Sequence, residues 1–551
     1  MNVRVACGLA CGLALAACAV EDAEINSALN AISAGDLVQW IQAISADSME
    51  GRAPASTGET RTIRYLEGQF KELGLEPGNH GSYLQAVPLV SLAADHHMAL
   101  SVRARRGGPE RYAYGDDFVA FTSRVVRRSS LVNSPMVFVG YGVDAPEYQW
   151  NDFAGLNVRG KTIVVLVNDP GFASRDTALF QGRTMTYYGR WTYKYEEAAR
   201  QGAAGVFIVH EAEAAGYPWE VVTGSWSGPQ FELESPANAK RAAVEGWLTV
   251  DAARRLFRQA GMNYDSLKRQ AGRRGFTAVP LNLRASVTVR NRVHRSTSHN
   301  VLAVYPGTSR ADEYVIYTAH WDHLGRDTTR QGDQIFNGAL DNASGVAGLL
   351  SLAKAFTQLS HPPARSILFL SVTAEEQGLL GSEYYAEHPV YPLTKTVAEI
   401  NMDGLDIWGP MHDITDIGFG KSDLDDDLVR AAQTQDRVVR PDPEPEKGFY
   451  FRSDHFSFAK VGVPALDPDA GINSVEHGEA WGREQRDDYT AHRYHKPADE
   501  YDPSWDLSGA VDDLRLFFRV GYQVASDSTF PDWKPGAAFK ARRDSMMARV
   551  K

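Results

Sequence analysis

Apolar positions fall at helical spacing across residues 60–73, where Ile63, Tyr65, Leu66, Phe70 and Leu73 share one face. Residues 36–73 read as helical, and Gly74-Leu75-Glu76-Pro77 is the stop signal. A strand-like run follows at 97–102. Between about 125 and 280 the texture changes to short buried-strand runs (136–140, 162–167) separated by many turns. Residues 193–202 read as a helix followed at once by a strand at 204–210, and the whole segment reads as an inserted α/β domain. After Asn300 strands alternate with helices: strands at 301–305, 314–319, 366–372 and 397–401, helices at 344–359 and about 379–386. This alternation predicts an α/β fold, a mixed and largely parallel sheet flanked by helices. Ligands of such sheets bind outside the carboxyl ends of the strands.

A chain of 551 residues exceeds the size at which one hydrophobic core keeps growing, so more than one domain is expected. The net charge of −12 argues against nucleic acid as a partner. Arg4 precedes a short apolar stretch, residues 5–17, too brief to span a bilayer and shaped like the core of a secretory signal. It closes on Leu15-Ala16-Ala17-Cys18, which resembles a bacterial lipobox, so residues 1–18 are expected to be a leader with Cys18 lipidated. Ordinary cleavage after a nearby small residue is the alternative. The expected address is the periplasm or cell envelope, as an outer-membrane lipoprotein or as a secreted protein. All three cysteines (Cys7, Cys11, Cys18) lie in this leader, so the rest of the chain has no thiol nucleophile, cysteine zinc ligand or disulfide. No later run is apolar enough for a transmembrane helix, which leaves Cys18 as the expected contact with a membrane.

Five side chains with metal-ligand chemistry stand where strands run out into loops: His320, Asp341, Glu376, Asp403 and, by motif, His495. A lone histidine or aspartate in such a place is ordinarily a satisfied polar residue or a helix cap, and Asp341 could be an N-cap of the helix that follows. Joint placement changes this reading. Two imidazoles and three carboxylates can hold two zinc ions, and zinc suits such a mixed set. Asp322, two residues after His320, is placed to accept a hydrogen bond from the second imidazole nitrogen. Glu375 and Glu376 are adjacent after an apolar strand, so their side chains diverge and one is free to act as a base while the other binds metal. The alternative for this pair is a surface helix start. Asp403 ends another apolar strand, where an uncompensated carboxylate would be expensive to bury.

The order His320-x-Asp322, Asp341-Asn342-x-Ser344-Gly345, Glu375-Glu376, Asn401-Met402-Asp403 and Tyr494-His495-x-x-x-Asp499 resembles the M28 family of di-zinc metallopeptidases. Gly51-Arg-Ala-Pro and residues 70–75 resemble the family's N-terminal part. Residues 137–142, Gly160-Lys-Thr-Ile-Val and Ala199-Arg-Gln-Gly-Ala-Ala-Gly resemble an inserted protease-associated (PA) domain. The resemblance implies a leader over 1–18, the first part of the catalytic domain over 19–124, the PA-like insertion over 125–280, the catalytic domain over 281–530 and a charged tail over 531–551. It implies two zinc ions, with His320, Asp341 (bridging), Glu376, Asp403 and His495 as ligands, Glu375 as general base and then acid, Asp322 orienting, and Tyr494 stabilising the oxyanion. It also implies a cis Asp341–Asn342 peptide.

His455, His477 and His492 compete with His495, which is favoured because it alone fits the last motif. His323 and His412 read as solvent-exposed or as partners behind the ligands. Gly140-Tyr-Gly142 superficially resembles a dinucleotide fingerprint, but Pro146 falls where the helix should start. There is no His-Glu-x-x-His and no Gly-x-Ser-x-Gly. The expected activity is removal of N-terminal residues from a peptide substrate. A glutamate carboxypeptidase-like enzyme, a glutaminyl cyclase and a non-catalytic receptor-like protein are the alternatives.

Overall fold

The computed structural model describes residues 23–226 and 228–549, so the leader and Cys18 lie outside the described residues. These residues form two compact units. The first comprises residues up to Val87, Thr297–Pro443 and Arg452–Lys551, and the second Pro88–Ser296 with Glu444–Phe451.

The first unit is built on a mostly parallel sheet. Its order runs Ala465–Leu466, Thr396–Asn401, Arg310–His320, Arg365–Val372 and the last residues of Val279–Tyr305, with Glu76–Pro77 at the edge. The first four strands are parallel, and Val279–Tyr305 pairs antiparallel with Arg365–Val372 through Val301↔Ser371 to Tyr305↔Ile367. All eight residues of Arg365–Val372 are buried. Val315, Tyr317, Ala319, Ile367 and Phe369 pack into one apolar cluster with the helices. The alternate positions Ile316, Leu368 and Leu370, on the other face, are equally buried. A strand buried on both faces is mostly apolar along its length, and the apolar residues 367–370 make this one legible.

Helices Gly345–Thr357 and Ser508–Ser526 share that cluster with the strands. Gly521 lets the second of them approach closely: a Cβ there would lie 1.8 Å from the Tyr317 hydroxyl, which donates to the Phe517 carbonyl at 2.7 Å. The N-terminal part is not one helical stretch. Ala34–Ile44 is capped by Ser33, and Thr57–Glu72 by Ser56. Between them Asp47–Arg52 turns tightly, with left-handed backbone at Glu50, Gly51 and Arg52.

Register brings the functional strand ends to one edge. His320 lies beside Val372, three residues before Glu375, and Thr318 lies beside Asn401, two before Asp403. Asp341 sits in the irregular turn Ala339–Ser344 that leads into helix Gly345–Thr357, and the Asp341–Asn342 peptide is cis.

The second unit has its own parallel strands in the order Arg128–Phe138, Thr162–Leu166, Gly205–His210, Val244–Thr249, with Phe118–Phe121 antiparallel at one edge. Helices Trp191–Arg200, Val250–Gln259 and Tyr264–Ala271 complete it. Among the described residues no helix is long and apolar enough to cross a membrane.

Candidate metal centre

His320 is the last residue of its strand and almost fully buried. Its Nε2 lies 3.1 Å from Asp403 Oδ1, 3.3 Å from Asp341 Oδ1 and 3.9 Å from Glu375 Oε2. His495 Nε2 lies 3.2 Å from the other Asp341 oxygen and 3.0 Å from Glu376 Oε2. Asp341 thus stands between two imidazoles and presents one oxygen to each. The Tyr494 ring stacks on that of His495 at 3.9 Å. Glu375 donates its main-chain N–H to Asp322 Oδ1 at 3.1 Å. All eight residues singled out in the sequence therefore lie in one cluster.

One detail differs from the sequence reading. His320 Nδ1 is 3.1 Å from the Asp322 carbonyl oxygen but 3.8 Å from its carboxylate, so the main chain is the nearer acceptor. The Asp322 carboxylate is occupied by the amide of Glu375 and so ties the base-bearing loop to the His320 strand. His323 is fully buried with Nδ1 2.6 Å from Glu376 Oε1, which fits the second of its two readings, a partner behind a ligand. His412 is exposed.

Three further residues contribute that were given no role of their own in the site from the sequence. Ser453 donates its hydroxyl to Asp403 Oδ2 at 2.6 Å and accepts from Asn401 Nδ2 at 2.7 Å. Asp499 is fully buried and accepts the amides of Leu340 and Asp341, both at 3.1 Å, and the Tyr489 hydroxyl at 3.2 Å. Arg52 is fully buried beside the same turn. Ser453 and Arg52 each belong to a short motif that was visible (Arg-Ser-Asp-His, Gly-Arg-Ala-Pro), and Asp499 closes the Tyr494-His495 motif.

The electrostatics follow from so many carboxylates in little solvent. Burial alone would depress the His320 imidazole, but Asp403 and Glu375, with hydrogen bonds to Asp341 and Asp403, hold it well above its ordinary value. His495 is likewise pushed up to about 10, against burial, by Glu376 and Asp341. Burial drives Glu375 upward, reinforced by Asp403, Glu376 and Asp454 and opposed by His320. For Glu376 burial and Asp341 act upward, but His495 and His323 hold it down at about 2. Burial lifts Asp322 to about 8. The cluster holds protons on its imidazoles because it lies in a strongly negative potential.

Divalent cations fit that potential and that donor set. Ligand atoms of His320, Asp341 and Asp403 all lie within 4.8 Å of one another, as do those of His323, Asp341 and Glu376. His495 faces the second group through Asp341 and Glu376. Mixed imidazole and carboxylate donors around a shared carboxylate are the chemistry that zinc accepts.

An α/β unit with paired imidazole–carboxylate clusters at the carboxyl edge of its sheet offers the donor set of a metal centre. Residues 300–518 match the model of Peptidase family M28. Aminopeptidase NAALADL1 of Mus musculus is 37% identical over 129 residues, which are 22% of this chain and 16% of that protein. Probable glutamate carboxypeptidase AMP1 of Arabidopsis thaliana is 25% identical over 372 residues, 62% of this chain and 47% of that protein. The chain thus spans less than half the length of either relative. Among solved structures, an aminopeptidase from Aneurinibacillus sp. strain AM-1 is 20% identical, with a TM-score of 0.49 over 92% of this chain and 97% of that one.

Proposed function

We propose that this protein is a zinc-dependent exopeptidase that removes N-terminal residues from peptides. The observation that carries the reading is Asp341, whose two carboxylate oxygens face His320 on one side and His495 on the other, with Glu375 at the edge of the cluster. The match of residues 300–518 to a peptidase family supports it. His320 and Asp403 would hold one zinc ion, His495 and Glu376 the other, and Asp341 both. Two zinc ions, when bound, would lower the pKa of a water and polarise the scissile carbonyl. Glu375 would take a proton from the attacking water and return it to the leaving amine. Its carboxylate is close enough to the cluster for this, and the Asp322 tie fixes its loop. Tyr494, fixed by stacking on His495, would donate its hydroxyl to the oxyanion. The second unit is read as PA-like.

A carboxypeptidase reading is the second one, favoured by the glutamate carboxypeptidase names among the relatives and by Arg452 beside Ser453 as a possible holder of a substrate carboxylate. Zinc-loaded protein assayed on aminoacyl-p-nitroanilides and on N-blocked dipeptides separates the two. Cleavage of free-amine substrates is the expected result. Cleavage of blocked dipeptides alone would transfer the assignment to the carboxypeptidase reading, and cleavage of neither would overturn the peptidase. Elemental analysis should give two zinc ions per chain, and one would favour a glutaminyl cyclase-like site.

A further inference from the structure

Arg52 is a fully buried cation whose hydrogen bonds all end on main-chain carbonyls. Nε donates to Trp321 O at 2.8 Å, one terminal nitrogen to Ile44 O at 3.1 Å and to Asn337 O, the other to Gly338 O at 2.9 Å. Its own carbonyl accepts the amide of His323 at 3.3 Å. The guanidinium therefore joins the segment His320–His323 to the turn that carries Asp341. The chain reaches this place through a left-handed turn, and a Cβ on Gly51 would lie 2.2 Å from the Gly325 carbonyl and 2.7 Å from that of Phe336. Gly51-Arg52 is thus a wedge between two loops.

Burying a guanidinium without a bonded carboxylate is unfavourable unless fixed acceptors replace its water. Here four carbonyls do so, and the charges of Asp499, Asp322, Asp341 and Glu376 act on it at longer range. The planar fork matches several acceptors at fixed angles, which an ammonium cannot do. The same cation lies near the proposed zinc sites, where its charge opposes cation binding. Two effects of opposite sign are therefore in play, and pre-arrangement of the ligand loops should dominate, because residues that orient ligands typically contribute about 10–100-fold to metal affinity.

We infer that Arg52 is a positioning residue that sets His320 and Asp341 in their zinc-binding arrangement by bridging the carbonyls of Trp321, Asn337 and Gly338. This rests on the two-zinc reading above. The test is competitive zinc titration, against a chelating indicator, of wild-type, Arg52→Lys and Arg52→Met protein, with Arg365→Lys as control. Arg365 is also fully buried and bonded to carbonyls (Val524, Thr529) and to Glu313, but it stands at the opposite end of its strand from Glu375.

Both Arg52 variants should bind zinc about 10–100-fold more weakly, and Arg365→Lys should melt lower yet bind zinc as the wild type does. In a third variant, Arg52→Ala, millimolar methylguanidinium should restore part of the lost zinc affinity. Equal or tighter zinc binding by Arg52→Met would overturn the proposal, because charge repulsion would then outweigh positioning. Full affinity in Arg52→Lys would show that charge, not the fork, matters, and would equally overturn it. If Arg52→Met does not fold, Arg52→Lys and the rescue decide. Wild-type protein that binds no zinc would refute the metal centre itself, an outcome distinct from any of these.

Discussion

Replacement of Asp499 by alanine tests the way the Asp341 turn is held. The carboxylate is fully buried, Oδ1 accepts the Leu340 amide, and Oδ2 accepts the Asp341 amide and the Tyr489 hydroxyl. Asp499→Ala leaves two buried main-chain donors without an acceptor, at about 1–3 kcal/mol each. That gives a gross loss of about 2–6 kcal/mol. Part returns because the variant no longer buries a carboxyl group, a burial that raises the Asp499 pKa. A net loss of about 2–4 kcal/mol is expected, together with weaker zinc binding, since the Asp341 amide is the group that is released. Tyr489→Phe removes one hydroxyl and leaves both amides satisfied, so it should cost about 1 kcal/mol. The assay is urea unfolding of the metal-free protein followed by tryptophan fluorescence, in parallel with zinc titration. The midpoint should fall at an unchanged slope. A loss below about 0.5 kcal/mol with full zinc affinity would refute the claim that Asp499 holds this turn.

Glu375→Gln should keep both zinc ions by elemental analysis while turnover on the preferred substrate falls about 10²–10⁴-fold; a fully active variant removes Glu375 from the chemistry. The metal-free protein should lose stability as pH rises from about 6.5 toward 10, because the folded state holds the protons of His320 and His495 above their unfolded values. Asp322 (about 8) and Asp454 (about 7), both raised chiefly by burial, act with the same sign. Zinc affinity should rise over the same interval as those protons are displaced. Lys194, lowered to about 7 by burial, acts with the opposite sign, so the comparison is with His495→Gln: a variant that keeps the full pH dependence of the wild-type metal-free melting temperature would contradict the assigned environment. Gly521→Ala, whose Cβ would meet the Tyr317 hydroxyl, should cost about 1–3 kcal/mol in thermal unfolding, with part regained in combination with Tyr317→Phe.

The sheet of the first unit was legible because its strands are buried on both faces, so 366–372 and 397–401 read as mostly apolar runs, interrupted only by Ser366, Ser371, Glu399 and Asn401. The turn at Asp47–Arg52 was not, since a helical reading of 36–73 runs through it. Its backbone is set by the wedge of Gly51 between two carbonyls rather than by local periodicity. The 27-residue strand Val279–Tyr305 was recognised only at its apolar end, although Leu281, Leu283, Ala285, Val287 and Val289 alternate inward along the rest. In the site, side chains that meet other side chains carry a type signature, and His320, Asp341, Glu375, Glu376, Asp403 and His495 could be named from it. Arg52 and Asp499 bond to main-chain atoms of their partners. Nothing in the partner's residue type announces such a bond. His323 carried no spacing signal of its own, and its amide is bonded to the Arg52 carbonyl.

Those two residues explain how a turn rich in polar backbone stays ordered under a cluster of like charges. The turn exposes carbonyls at Asn337 and Gly338 and amides at Leu340 and Asp341. The cation of Arg52 takes the carbonyls and the anion of Asp499 takes the amides. Each charge is matched to the partial charge of the groups it meets, so the turn is gripped from both sides without either residue contacting the carboxylate of Asp341. Arg52 and Asp499 also attract each other across the turn. Removing either one therefore leaves the other as a buried charge with weakened compensation, and their effects on zinc binding should be coupled rather than additive. The Asp341 carboxylate, free of both, keeps its two oxygens for the imidazole-bearing sides of the centre.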